Sequence, residues 1–293
     1  MKDAFSTFHP IVNLVYFFAI LGFAIFLRNP VCLAISIVSA TLYAGYLCGE
    51  KTLRFSLRYL LPTAVLIILI NPLVNHQGLT ILGYFSNGNP FTLEAIIYGI
   101  VAAGILVAVV QWFSCWNQVM TTDKLVYLFG RLFPAFSLVI SMTFRFVPRY
   151  RKQFQAIVTA QKQLGRSMTR GSLISRIRTG IRILSIMLTW AMEHAVETAN
   201  SMKCRGYGLP GRTTFSIYRW TVRDTVILIL ILALSGVVFS GAIQGRLYWT
   251  CFPTFMQTEW NGYIVGIYSI YGVLSLLPMM INGKEEWKWN SFA

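Results

Sequence analysis

The sequence predicts an all-α, polytopic membrane protein: about six transmembrane helices, plus a cytoplasmic or interfacial domain of amphipathic helices. Three observations carry this. Of the 293 residues, 56% are hydrophobic and only 12% are charged, about half the roughly 25% charged fraction of a soluble domain. Six apolar runs approach the roughly 20 residues needed to cross about 30 Å of hydrocarbon. The formal net charge of +15 is concentrated in one central segment instead of being spread over the chain.

The runs are Ile11 to Leu27, Val31 to Cys48, Tyr59 to Val74, Ala95 to Phe113, Val226 to Ile243 and Tyr263 to Ile281. The first is followed directly by the second with no small-residue cleavage pattern between them, so it reads as an anchor and not as a removable signal. The expected organisation is N-terminal transmembrane helices over 1–118, a basic domain over 119–222, and C-terminal transmembrane helices over 223–293. A further apolar stretch, Leu125 to Phe144, carries Arg131 near its middle. A central Arg costs about 2.5–3.5 kcal/mol on insertion scales. Gly130 and Pro134 flank that Arg and bend or break a helix there. The stretch is therefore expected along the inner membrane surface.

From Lys124 to Arg223 the chain has 17 Lys or Arg and two acids, Glu193 and Glu197, which accounts for the whole net charge. Sorting all 25 bases into alternating loops of six spans puts 23 on one side and leaves Arg28 and Arg246 on the other. The positive-inside bias then places both termini and the basic segment in the cytoplasm.

Within that segment, Pro148 suits a first helical position, Tyr150, Phe154, Ile157, Val158 and Leu164 follow near the helical period, and Gly165 offers a left-handed stop. A second amphipathic helix is expected from about Thr179 to Cys204, with Leu184, Met187, Leu188, Ala191, Met192, Ala195, Ala199 and Met202 on one face. Lys203 and Arg205 sit at its end, Gly206 follows, and Pro210 prevents continuation. Capping alone explains a cation and a glycine at a helix end. It does not explain the crowding of Arg, Gly, Tyr, Pro and a further Arg in SMKCRGYGLPGRTTF, Ser201 to Phe215. Two amphipathic helices, each ending in Gly beside Arg, have the character of tips that enter grooves on another protein.

Several function classes lack their residues here. The Walker A spacing is absent; Gly49, Glu50, Lys51 and Thr52 resemble its end, but the Lys does not directly follow the second Gly. The six runs hold no Asp, Glu, Lys, Arg or His, against a pump or an intramembrane enzyme. Cys32, Cys48, Cys115, Cys204 and Cys251 are scattered with no CxxC spacing. Of the histidines His9, His76 and His194, the last shares a helix face with Glu197, which alone is a weak metal signal, and no metal site is assigned.

The stretch AMEHAVETAN followed by SMKCRGYGLPGRTTF resembles the signature of the transmembrane T component of energy-coupling factor transporters, the CbiQ/EcfT-type scaffold. FHPIVNLVYF, NPLVNHQGLTIL, NPFTLEAIIYGI and RFVPRYRKQFQAIVTAQ resemble the same family, so the likeness covers nearly the whole chain. The resemblance implies a non-enzymatic scaffold in a prokaryotic cell membrane. It joins two ABC-type ATPase subunits, which bind the ATP, to a membrane S component that captures a vitamin, metal ion or similar micronutrient. No cofactor is expected in this chain. By the same resemblance Cys204, Arg205 and Gly206 form the second coupling triplet, with Cys where Ala is usual. The first departs from the pattern: Gln163, Leu164 and Gly165 stand where Ala-Arg-Gly is common, and Arg166 comes one position late. Either Arg166 takes over the contact or that interface relies on apolar packing. Arg145, which opens RFVPRYRKQFQAIVTAQ, completes the expected ATPase-coupling set.

Two rival readings remain in view. A basic membrane protein binding anionic lipid or nucleic acid fits the charge, and lipid contact is expected in any case; no continuous basic groove or aromatic-interleaved strand speaks for nucleic acid. A stand-alone secondary transporter or channel fits the spans, but no internal repeat is evident.

Overall fold

The structure is a computed structural model that describes residues 3–84, 89–132, 134–166, 169, 172–207, 209, 218–247, 249–251, 256–257 and 261–291. In chain order the elements are α1 (Pro10–Phe26), α2 (Pro30–Cys48), α3 (Glu50–Phe55), α4 (Leu61–Val74), β1 (Ile81–Tyr84), β2 (Pro90–Thr92), α5 (Leu93–Val119), α6 (Thr122–Leu132), α7 (Pro134–Gln163), α8 (Leu173–Cys204), α9 (Val222–Ile243), β3 (Trp249–Thr250), β4 (Met256–Gln257) and α10 (Gly262–Asn290). The chain divides into two compact units, residues 1–125 with 218–293, and residues 126–217.

In the first unit, helix starts follow capping chemistry. His9 Nδ1 accepts from the Ile11 N–H ahead of Pro10, and Asn29 Oδ1 accepts from the Val31 N–H at 3.0 Å ahead of Pro30. A proline at the first helical position lacks only an N–H that the helix leaves unpaired there. Thr221 and Asp224 form a reciprocal capping box at the start of α9. Between α3 and α4 a π-helical turn, Ser56–Leu60, ends two residues before Pro62. The wider turn accommodates a ring that an α-helix would press against the carbonyl four residues back.

Among the described residues, α2, α5, α9 and Gly262–Lys288 of α10 are long and apolar enough to cross a membrane, while Pro10–Phe26 and Arg58–Val74 are apolar but shorter. The chain is a polytopic helical membrane protein. The core of this unit is aromatic: Phe5, Tyr16, Phe17 and Trp112 are fully buried, and Tyr16 meets Phe5 edge-on at 5.1 Å and Trp112 at 6.2 Å. The polar tips are satisfied inside, as a hydrocarbon surround demands. Trp112 Nε1 donates to Ser36 Oγ at 2.9 Å, and the Tyr16 hydroxyl donates to the Ser275 carbonyl at 3.1 Å. Helices α4 and α5 meet closely at Gly99, where a Cβ would lie 3.2 Å from Asn71 Cβ and 3.4 Å from the Ile68 backbone.

One end of the unit gathers the start of α1, the ends of α2, α5 and α10, and the start of α9. Asp3 accepts from the Tyr43 hydroxyl at 3.0 Å and from Asn282 Nδ2 at 2.5 Å. Buried Asp224 accepts from the His9 N–H at 2.9 Å. Lys124, 6% exposed, donates to the Ser6 carbonyl at 2.6 Å and the Val119 carbonyl at 2.8 Å. Its burial pulls the ammonium pKa down to about 8, against an opposing pull from Asp3.

The structure revises several expectations. Pro148 does not start a helix; it lies inside α7, which begins at Pro134. The apolar stretch 125–144 falls in α6, described to Leu132, and in α7, described from Pro134; Phe133 lies outside the described residues. The second amphipathic helix begins at Leu173, not Thr179, because Ser172 caps it by accepting from the Ser175 N–H. The fold is not wholly α: β1 pairs antiparallel with β2, and β3 with β4, in two small ribbons. Pro210 and Arg212 lie outside the described residues.

Candidate functional site: two capped helix ends and the crossing behind them

In the second unit, α7 and α8 are amphipathic helices of 30 and 32 residues, so α8 is about 48 Å long at 1.5 Å per residue. They bury Ile157, Gln161, Thr179 and Ile183. They also meet through an aromatic and polar cluster. Tyr150 and Trp190 stand edge to face at 5.3 Å, and Trp190 and His194 at 4.5 Å. Arg149 lies over the Trp190 ring and donates to His194 Nε2 at 2.8 Å. His194 Nδ1 contacts Glu197 Oε2 at 3.0 Å. Because Arg149 has only protons to give, Nε2 is the accepting nitrogen and Nδ1 carries the hydrogen that goes to Glu197. With both ring nitrogens committed, the His194–Glu197 pair organises the helix crossing, and no cluster of metal-ligating residues occurs among the described residues.

From this crossing each helix runs on to a glycine. Gly165 lies 15 residues beyond Tyr150 and Gly206 lies 16 beyond Trp190, so each tip is about 22–24 Å along its own helix from the cluster. Both glycines have φ of 76°, a conformation that costs an L residue about 1–2 kcal/mol. At the α7 end the Gly165 N–H donates to the Lys162 carbonyl at 3.1 Å, and the Arg166 N–H to the Gln161 carbonyl at 3.0 Å. At the α8 end the Gly206 N–H donates to the Lys203 carbonyl at 3.0 Å, and the Tyr207 N–H to the Met202 carbonyl at 3.0 Å. These are Schellman closures, which satisfy carbonyls a helix end would otherwise leave open.

The residues expected from the sequence are therefore placed as follows. Cys204 is the last residue of α8, and Arg205 is its C-cap at φ −84° and ψ 9°; both are exposed. Gly165 and Arg166 are exposed just past α7. Arg145 is exposed on α7, five residues before Tyr150, and belongs to neither tip. Among the described residues the guanidinium groups of Arg145, Arg166 and Arg205 form no ion pair or hydrogen bond. The position that Arg205 fills at one tip is filled at the other by Leu164, which is 67% exposed.

Sequence reasoning missed the role of Arg149 and Trp190 as the crossing contact. The available signal was their helical phase: Tyr150 and Arg149 lie four and five residues before Phe154 on the face that also carries Ile157. The apolar face expected at Leu184, Leu188 and Met192 is present, but it runs further back than expected and stays open: Ile174, Ile177, Ile181, Leu184, Leu188 and Met192 are each more than 60% exposed. Exposed apolar surface of this extent marks an interaction surface.

Residues 2–217 match the sequence model of the CbiQ family, described as cobalt transport protein. The chain is 26% identical over 250 residues to the energy-coupling factor transporter transmembrane protein EcfT of Bacillus selenitireducens, covering 80% of this chain and 92% of that protein. Over 104 residues it is 36% identical to the EcfT protein of Listeria innocua, covering 35% of this chain and 39% of that protein. Over 104 residues it is also 30% identical to the EcfT protein of Bacillus subtilis, covering 35% and 39%. With the match spanning most of its length, the chain belongs to the CbiQ family.

Proposed function

We propose that this chain, as the transmembrane component of an energy-coupling factor transporter, is a non-catalytic scaffold that carries movement from two ABC-type ATPases to a separate substrate-binding membrane subunit. The observation that carries the reading is the pair of identical glycine closures ending the two helices of the basic unit. A rigid tip with an unpaired cation at its cap suits a groove on a soluble partner. Arg205 holds the place before the glycine at one tip, whereas at the other Leu164 holds it and exposed Arg166 follows the glycine, so the second contact is made by Arg166 or by apolar packing.

The crossing at Arg149, Trp190 and His194 supports transmission, because a displacement of either tip reaches the other helix through it. The open apolar stripe of α8 supports a membrane-embedded partner. The chain is multi-pass, with four helices among the described residues long enough to cross a membrane; if the two shorter apolar helices cross as well, the positive charge of residues 124–223 favours the cytoplasmic face for this unit and for both termini. The cargo belongs to the class of micronutrients, a vitamin or a metal ion, and is held by the partner subunit.

The test is co-expression with a candidate ATPase pair and substrate-binding subunit, followed by purification on a tag carried by this chain and uptake in proteoliposomes. The reading expects two ATPases to co-purify and uptake to require ATP. Solute transport by this chain reconstituted alone would favour the stand-alone carrier instead.

A further inference from the structure

A cavity of about 360 Å³ opens at the end of the first unit away from the Asp3 and Lys124 contacts. Its walls come from Ile25 in the last turn of α1, from Tyr98, Ala102 and Ile105 on one face of α5, and from Trp249 in β3, with Arg28 lining it as well. Most of that lining is apolar. Arg28 is exposed and, among the described residues, has no ion pair, hydrogen bond or ring contact. Arg246, the other base of the α1–α2 and α9–α10 connections, is occupied, with its guanidinium 4.5 Å from the Tyr263 ring centre. Glu94, an acid near the start of α5, is engaged by the Thr80 N–H and hydroxyl. Phe26, next to Ile25 in the last turn of α1, is 82% exposed.

These features fit one class of ligand. A soluble anion would leave the apolar walls unused, and a hydrocarbon would leave Arg28 unused; an anionic amphiphile serves both. Tyr and Trp beside a lone Arg are the residues that sit where acyl chain meets headgroup. The volume lies at the low end of the roughly 300–1,000 Å³ typical of ligand sites, enough for part of one acyl chain. We infer that this cavity binds an anionic phospholipid, with an acyl segment against Ala102, Ile105 and Trp249 and the phosphate against the Arg28 guanidinium.

Native mass spectrometry of the purified full chain, equilibrated with equimolar phosphatidylglycerol and phosphatidylcholine, tests this through the most firmly retained lipid. Arg28→Gln is expected to lower the retained ratio of phosphatidylglycerol to phosphatidylcholine about fivefold. That is the factor equivalent to the about 1 kcal/mol that one Arg contributes at an anionic lipid surface. Arg246→Gln is the control for charge in general and should leave the ratio unchanged. Filling the cavity with Ala102→Trp should reduce retention of both lipids. Ile25→Trp, at a site 45% exposed that tolerates a larger side chain, should do the same without threatening the fold. An unaltered ratio in Arg28→Gln, an equal fall in Arg246→Gln, or undiminished retention in both tryptophan variants overturns the inference.

Discussion

Gly165 and Gly206 close two different helices with one backbone turn: each has φ of 76°, and each is bracketed by the same pair of N–H to carbonyl contacts, three and five residues back along the chain. The residue before each glycine differs, Leu164 in one case and Arg205 in the other. The turn is thus independent of the chemistry it presents, and the tips share a shape while offering different surfaces. This is the physical basis for treating them as a matched pair.

Substituting these glycines separates strain from crowding. Gly165→Ala and Gly206→Ala both force an L residue to positive φ, at about 1–2 kcal/mol each. At Gly206 the added Cβ also meets Leu209 Cδ1 at 3.1 Å, whereas at Gly165 nothing lies within 4 Å. Amide hydrogen exchange should therefore rise more at Tyr207 in Gly206→Ala than at Arg166 in Gly165→Ala. Equal rises would remove the crowding at Leu209, and absent changes would remove the strained-turn account.

The two tips should respond differently to salt. Arg205→Glu is expected to weaken binding of its ATPase by about 2–5 kcal/mol, the range for breaking a desolvated charge contact, with an effect that shrinks as salt is raised. Leu164→Ala removes apolar surface and should cost at most about 1.5–3 kcal/mol, with little salt dependence. Titrating ATPase binding at low and high salt checks both.

Much of this arrangement is legible from residue order. Glycine after a basic or apolar helix end signalled both closures, and the apolar runs marked the helices of the first unit. Pro148 misled because a proline inside a continuing helix reads the same as a proline at a start; the choice depends on whether neighbouring segments shelter the freed carbonyl. The ribbon of β1 and β2 is too short to show an alternating pattern. Burial of Lys124 was invisible because its partners, the Ser6 and Val119 carbonyls, are backbone atoms that any sequence supplies. The helix crossing was hidden for another reason: Arg149 and His194 are 45 positions apart and polar, so each alone reads as solvated surface.

At that crossing, a double-mutant cycle with Arg149→Ala and His194→Ala should yield a coupling energy of about 1 kcal/mol in thermal unfolding, modest because Arg149 is exposed. Each single variant should also lower uptake per ATP hydrolysed while leaving ATPase binding at the tips intact. A coupling energy of zero would mean that the 2.8 Å contact does not hold the helices together.

Lys124 predicts a pH dependence of stability. Burial lowers its pKa to about 8 from the ordinary 10.5. Between those values the unfolded chain holds a proton that the folded chain has released, so this group's contribution to stability rises with pH from about 8 to about 10.5 and is flat below. In Lys124→Met that rise should vanish, which unfolding midpoints in detergent across pH 7 to 10.5 would report. A rise of the same size in the variant would assign it to other groups.

The central claim, that the basic unit presents its tips to ATPases on the cytoplasmic side, is tested most directly at Cys204, an exposed thiol within the α8 tip. In a Cys48→Ser background the other cysteines, Cys32, Cys115 and Cys251, are buried. A membrane-impermeant maleimide should label inside-out vesicles and not right-side-out ones, and bound ATPases should suppress the labelling. Labelling from the outer face, or labelling undiminished by bound ATPases, would contradict the account.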